Sequence, residues 1–388
     1  MSLRSPDTLG GRAAIAGIGA TEFSKDSGRS ELTLAVEAVH AALDDAGLAP
    51  ADVDGLVTFT MDTSPEITVA QAAGIGELSF FSRVHYGGGA ACATVQQAAL
   101  AVAAGVAEVV VCYRAFNERS GRRFGSGVQR REPSAEGAAL GWQLPFGLLT
   151  PASWVAMIAQ RYLHTYGLTP DAFGHVAVTD RRHAATNPAA YFFGKPITLA
   201  DHAASRWIAE PLRLLDCCQE TDGGQAIVVT STERARDLAR PPAVIVSAAQ
   251  GAGRNQEAMT SFYRDELTGL PEMGVVARQL WRGSGLAPGD IDVGILYDHF
   301  TPFVLMQLEE FGFCGRGEAA DFVAADALPL NTHGGQLGEA YLHGMNGIAE
   351  AVRQLRGTSV NQVPGAARAL VTAGTGVPTS GLILGTDG

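Results

Sequence analysis

Two short segments join a tyrosine to a histidine two residues further on: Tyr297-Asp298-His299 and Tyr341-Leu342-His343. Phenol and imidazole both carry protons, so each segment is suited to acid–base work on a bound substrate. A free phenol titrates near 10, and a phenolate at pH 7 therefore costs roughly 4 kcal/mol, which a neighbouring histidine or a positive potential has to offset. Two glycine-rich turns accompany these segments, Gly87-Gly88-Gly89 and His333-Gly334-Gly335. Glycine lets backbone amides approach a ligand oxygen closely, as an oxyanion hole requires. The nine histidines show neither HxH nor HExxH spacing, and the five cysteines (Cys92, Cys112, Cys217, Cys218, Cys314) contain no CxxC pair, so no metal site is expected.

The elements that position these residues repeat. Residues 47–57 read GLAPADVDGLV and residues 285–295 read GLAPGDIDVGI. Each copy follows a helix-like segment (32–46; 274–283) and enters a short apolar run (55–59; 293–296). An apolar strand lies upstream of each copy (AAIAGIG from Ala13; AVIVSAA from Ala243), and a glycine-rich turn opening a helix lies downstream (87–105; 333–357). Final strands start at Glu108 and Ala367. Two βαβαβ halves, 1–235 and 236–388, predict a pseudo-twofold α/β architecture with an inserted loop region at about 114–170.

Composition narrows the classes. A formal net charge of −12 over 388 residues excludes nucleic acid as an expected partner, because phosphate binding needs a clustered positive surface. The one basic cluster, Arg119, Arg122, Arg123, Arg130 and Arg131, is either a solvated loop or a site for the phosphates of a small molecule. The most apolar stretch, 90–111, is broken by Gln96, Gln97 and Glu108, which is too polar for a membrane span. The N-terminus has no apolar leader core, and an odd number of irregularly spaced cysteines suits reduced thiols, so a cytoplasmic protein is expected.

Four segments resemble the thiolase superfamily, in particular the sterol-carrier-protein thiolases and their thiolase-like lipid-transfer-protein relatives. They are 182–229 with its LDCCQETDGG run, YDHFT at 297–301, NTHGGQLGEAYLHGMNG at 331–347 and VTAGTG at 371–376. The resemblance covers most of the chain and implies a five-layered αβαβα fold of two similar halves, in agreement with the repeat. Thiolases use a cysteine nucleophile, the histidine of a GHP motif, a second cysteine near the C-terminus, and an Asn or His of an NEAF or HDCF motif. Aligned on these motifs, the nucleophile position falls at or next to Gly88 and the GHP histidine position falls on Tyr341. The second cysteine position lies in Thr372-Ala373-Gly374, and the HDCF motif begins at Tyr297. No thiol stands at either cysteine position, so acyl transfer through a cysteine thioester is not expected.

Within the superfamily the chain is similar to aldolases that shorten the side chain of steroid-CoA thioesters and lack the thiolase cysteines. That resemblance implies a lyase performing retro-aldol cleavage of a β-hydroxy acyl-CoA of the 17-hydroxy-20-carboxyl-CoA type, releasing propionyl-CoA and a 17-keto steroid. Tyr297 and Tyr341 then transfer protons with His299, His343 and Asp298 beside them, while Gly88, Gly89, Gly376 and His333 hold the thioester. Asp298 either orients a base or caps the helix before Pro302; Cys92, Cys217 and Cys218 are assigned structural roles. CoA arrives as part of the substrate, so no separate cofactor is implied. The implied partners are a second copy of the chain and a small OB-fold domain of zinc-ribbon type linked to a hydratase. Two other readings compete: a non-catalytic subunit that binds acyl-CoA or sterol, and an acyltransferase using Cys92.

Overall fold

A computed structural model describes residues 9–85, 87–121, 123, 137–138, 141–257, 262–264, 266–375 and 379–387. The first half runs β1 (Ala13–Ala20), α1 (Glu31–Ala46), β2 (Gly55–Phe59), α2 (Glu66–Ala73), β3 (Phe80–Val84), α3 (Ala91–Ala103), β4 (Val109–Asn117), α4 (Pro151–Tyr166), α5 (Asp171–Thr186), α6 (Leu199–Ala204), a ribbon of β5 (Trp207–Ala209) and β6 (Leu212–Arg213), and β7 (Asp222–Ser231). After α7 (Thr232–Arg236) come β8 (Ala243–Gly251), α8 (Pro271–Ser284), β9 (Val293–Ile295), α9 (Thr301–Phe311), α10 (Ala319–Ala324), α11 (Gly335–Gly338), α12 (Met345–Arg356), β10 (Arg368–Ala373) and β11 (Thr379–Gly385).

Both copies of the repeat fold alike. α1 and α8 each end on a left-handed glycine, Gly47 (φ 72°) and Gly285 (φ 71°), which no side chain hinders. Asp52 and Asp290 then accept from the amides of Ala49 and Ala287, each at 2.8 Å, closing the same one-turn 3₁₀ helix before β2 and β9. Two residues on, Asp54 accepts from the amide of Val109 at 2.9 Å and Asp292 from that of Arg368 at 2.8 Å, tying each copy to the strand that follows its central helix.

The strands lie in the order β3-β2-β4-β7-β1-β8-β11-β10-β9, so β2-β4-β7-β1 on one side of the centre mirrors β9-β10-β11-β8 on the other. At that centre β1 and β8 pair only at Ala14–Val244 and Ile15–Ala243. α3 packs on β2, β4 and β7 of one half and on β8, β10 and β11 of the other, and α12 touches β9 and β10 as well as β1 and β7. Their apolar faces form the shared middle core, while α1 and α2 cover one outer face and α8, α9 and α5 the other, which makes five layers. The boundary expected at 235 falls inside α7, between β7 and β8.

Two sequence expectations change. The irregular region is shorter than 114–170, because β4 continues to Asn117 and α4 fills Pro151–Tyr166. Thr150 and Ser153 cap α4 reciprocally, and Trp154, Val155, Ile158, Tyr162 and Leu163 bury one face at helical spacing, a period masked by the proline and aromatics at its start. The helix expected over 333–357 is two helices, α11 and α12, separated by a turn in which His343 (φ 53°) and Gly344 (φ 86°) are left-handed.

Candidate active site

Tyr297 leaves the end of β9 with its backbone fixed on both sides. Its amide donates to Thr372 Oγ1 (2.9 Å), its carbonyl accepts from Gln307 Nε2 (2.8 Å), and the Thr372 hydroxyl donates to Gln307 Oε1 (2.5 Å). The phenol reaches across to the turn before α3. A Cβ on Gly88 would stand 1.6 Å from Tyr297 Oη, so the hydroxyl occupies the space a side chain at position 88 would fill. Both positions where the thiolase pattern places a cysteine thus serve this tyrosine: Gly88 makes room for its hydroxyl, and Thr372 holds its amide.

Tyr341 approaches from the turn between α11 and α12, its amide donating to Thr221 Oγ1 (3.2 Å). The two phenolic oxygens lie 3.4 Å apart, with Tyr297 buried and Tyr341 partly open. Burial pushes both phenols well above their ordinary range, and the neighbouring Tyr297 raises Tyr341 further. Both tyrosines are therefore neutral, and the expected help from histidine takes another form. Burial lowers His299 to about 3 and His343 well below its usual value, so neither ring is a cation able to stabilise a phenolate at neutral pH.

His343 is held in one tautomer. The Nε–H of Arg114 donates to His343 Nδ1 (3.2 Å), which leaves the ring proton on Nε2. That nitrogen faces the glycine turn, 3.5 Å from where a Cβ on Gly87 would stand. Arg114 is itself fully buried, pairs with Asp62 Oδ2 at 3.0 Å, and lies 4.1 Å from the Phe116 ring centroid; His343 stacks on the same ring at 5.1 Å. A buried cation needs such compensation.

The other expected residues divide. His299 joins the site, its ring 4.8 Å from that of Tyr297 and 5.2 Å from Phe303, with Nε2 3.3 Å from Thr375 Oγ1. Gly88 and Gly89 form the turn leading into α3, where the first amides of a helix lack intrahelical acceptors and its dipole favours negative charge. Asp298, expected to orient a base or to cap the helix before Pro302, accepts through its carboxylate from the amides of Gln336 and Leu337, each at 2.9 Å, and thereby fixes the start of α11. A Cβ on Gly335 would strike Asp298 Oδ2 at 2.1 Å, which is why that turn requires glycine. His333 lies in a buried polar network, its Nε2 3.9 Å from Glu339 and its carbonyl accepting from Asn187. Gly376 lies outside the described residues, as do Arg122, Arg130 and Arg131; Arg123 pairs with Glu220 at 2.7 Å. Cys92 is fully buried on α3, and burial drives its thiol far above its ordinary value, which leaves it no nucleophilic role.

Arg114, Asp62 and Glu118 were not singled out from the sequence. Arg114 had a signal, a cation inside the apolar run VVVCYRAF, since buried charge demands a partner. Glu118 follows the same strand and is buried.

Five layers of two mirrored halves, with the Tyr297 phenol in the side-chain space of the position where the thiolase pattern puts its nucleophile, define a thiolase-fold protein without the thiolase cysteines. Residues 253–386 match the family described as Thiolase C-terminal domain-like. The chain is 70% identical to the steroid side-chain-cleaving aldolase of Thermomonospora curvata, over 98% of this chain and 99% of that one. It is 68% identical to the 17-hydroxy-3-oxo-4-pregnene-20-carboxyl-CoA lyase of Mycobacterium tuberculosis, over 97% of this chain and 100% of that one. Among solved structures it resembles an Ltp2-ChsH2(DUF35) aldolase at a TM-score of 0.94 and 69% identity, covering 98% and 99% of the two chains. The chain belongs to the steroid side-chain-cleaving aldolases of the thiolase superfamily, and it is a lyase.

Proposed function

We propose that the chain cleaves 17-hydroxy-3-oxo-4-pregnene-20-carboxyl-CoA, or a close relative of it, into propionyl-CoA and a 17-keto steroid by a tyrosine proton relay. The observation that carries the relay is the position of Tyr297 Oη, in the side-chain space of Gly88 and 3.4 Å from Tyr341 Oη. The substrate class is supported by the identity of 68% to the lyase of that name.

The bond between the carbinol carbon and the thioester Cα breaks, and its electron pair passes into the thioester enolate. The hydroxyl proton moves to one phenol as the pair passes a proton on to Cα, so the carbinol becomes a ketone and Cα gains one hydrogen. No oxidant, nucleophile or further cofactor is consumed. A neutral pair suits this exchange, since each phenol donates and accepts in one event. The enolate oxygen is received by the amides of the Gly88–Gly89 turn and by the Nε2–H of His343, donors fixed before substrate arrives.

The partner in the assembly is a small OB-fold domain of zinc-ribbon type attached to a hydratase, supported by the Ltp2-ChsH2(DUF35) pairing in the similar solved structure. A second copy docks along β3, the outer strand of the sheet, whose Phe81 is 62% exposed. Among the described residues no helix is long and apolar enough to cross a membrane; the cytoplasmic location rests on the composition and on the five free thiols.

The test is to supply the chain, with the partner domain, with the named steroid-CoA and quantify both products. Equimolar propionyl-CoA and 17-ketone support the reading. Tight binding with no product under every partner combination favours a non-catalytic carrier and overturns it.

A further inference from the structure

Behind the Asp298 carboxylate that fixes the start of α11 stands a second carboxyl group, Asp180 of α5. Both residues are sealed from water, each 1% exposed. A Cβ on Gly335 would lie 2.1 Å from Asp298 Oδ2 and 3.1 Å from Asp180 Oδ2, which sets the two carboxyl groups side by side. The approach is close because α5 packs on the glycine turn itself: a Cβ on Gly334 or on Gly338 would stand 2.6 Å from Ala184 Cβ.

Hydrogen-bond donors divide unequally between the pair. Asp298 receives the amides of Gln336 and Leu337 at 2.9 Å, one on each oxygen, and Gln336 Nε2 at 3.4 Å. Among the described residues Asp180 receives Asn331 Nδ2, at 3.4 Å. Two adjacent carboxylates shut away from water do not both keep a charge, and the charge stays where the donors are, so the shared proton rests on Asp180. Burial and the neighbouring Asp298 both raise Asp180 well above the ordinary carboxylate range; Asn331 and Arg182 oppose, and the Arg182 guanidinium is tied to Asp326 at 2.7 Å. Of the other titratable groups around this face, His183 is neutral because burial lowers it to about 4, and His202 and Asp216, on segments packed against α5, pair with each other at 2.8 Å.

We propose that Asp180 is a positioning residue for the aldol cleavage, a carboxylic acid whose O–H donates to Asp298 and so holds the two phenol-bearing segments in register. Asp298 directly follows Tyr297, and Leu337, whose amide it accepts, lies four residues before Tyr341. One carboxylate therefore joins the segments that bring the two hydroxyls to 3.4 Å, and Asp180 fixes that carboxylate from behind. The inference rests on the tyrosine relay, because Asp180 acts through Asp298 rather than on the substrate.

Asp180→Asn puts a neutral side chain of the same size in place of the acid, with an amide N–H to donate to Asp298 instead; Asp180→Leu removes the donor. With the partner domain bound, the asparagine variant is expected to keep kcat within about threefold of the wild type. The leucine variant is expected to lose kcat about 10- to 100-fold with KM within about twofold, since the phenols shift while the substrate is still held. A merely structural role would lower the unfolding temperature of Asp180→Leu and leave the kcat of its folded fraction at the wild-type value, which overturns the proposal. An Asp180→Asn enzyme as impaired as the leucine variant overturns it too. Infrared difference spectra between the wild type and Asp180→Asn give a readout that does not need Asp180→Leu to fold. A protonated-carboxyl band at pH 7, present in the wild type and missing from the variant, supports the proposal, and a spectrum without that difference overturns it. Tyr297→Phe and Tyr341→Phe are measured alongside: full activity in both would sink the relay itself, whereas a loss confined to those two, with Asp180→Leu unimpaired, sinks only the role of Asp180.

Discussion

The hydroxyl of Tyr297 sits in the space a side chain on Gly88 would occupy, 1.6 Å from the position of the missing Cβ. The first half of the chain gives up a nucleophile, and the second half fills the vacancy with a phenol. This exchange makes the loss of the thiol and the gain of the tyrosine a single change of chemistry, because the two groups cannot occupy that point together.

Gly88→Ala is expected to displace the Tyr297 phenol. The variant should fold with a stability loss of about 1–3 kcal/mol from overpacking and lose kcat by about 100-fold from misplacement of the relay. Thermal unfolding and steady-state kinetics check both parts. Gly88→Cys carries the same Cβ and should displace the phenol likewise, and intact mass should show no acyl-enzyme, because Tyr341 stands where the thiolase pattern has the histidine of its GHP motif.

The Arg114–Asp62 pair fixes the tautomer of His343 from a site with no access to water. Arg114→Met leaves the Asp62 carboxyl buried without its cation, and a loss of about 3–5 kcal/mol in denaturant unfolding is expected. The double variant Arg114→Met with Asp62→Leu should recover much of that stability and none of the activity. Recovery of activity would show that His343 needs no fixed tautomer.

Acid stability follows from His299, which burial lowers from the usual 6.5 to about 3. Between those values the unfolded chain binds a proton on this residue that the folded chain does not, so stability rises with pH across that window and is lost as pH falls from 6.5 toward 3. The urea midpoint of the wild type should therefore drop across that range, and His299→Asn should flatten the slope. An unchanged slope would place the titrating groups elsewhere.

Much of the frame was legible in the chain because the duplicated GLAP units are closed by local chemistry. A left-handed glycine, a proline at the start of a one-turn helix and an aspartate reaching back to an amide all act within six residues. Tyr297 and Tyr341 drew attention because they stand at motif positions, and His299 and His343 because they lie beside them in the chain. What the sequence concealed depends on long-range packing. Asp298 offered two roles in the sequence, and only the distant amides of Gln336 and Leu337 tie its carboxylate to the start of α11, while Arg114 meets His343 across 229 residues. The fall in tyrosine acidity was also hidden, since burial, which no motif encodes, outweighs any neighbour.

Single-turnover cleavage of the steroid-CoA by Tyr297→Phe and by Tyr341→Phe, each with the partner domain bound, tests the relay most directly. Each loss of one hydroxyl should slow the chemical step by about 100- to 10,000-fold while leaving substrate affinity within a few-fold. Cleavage at the wild-type rate by either variant would contradict the relay.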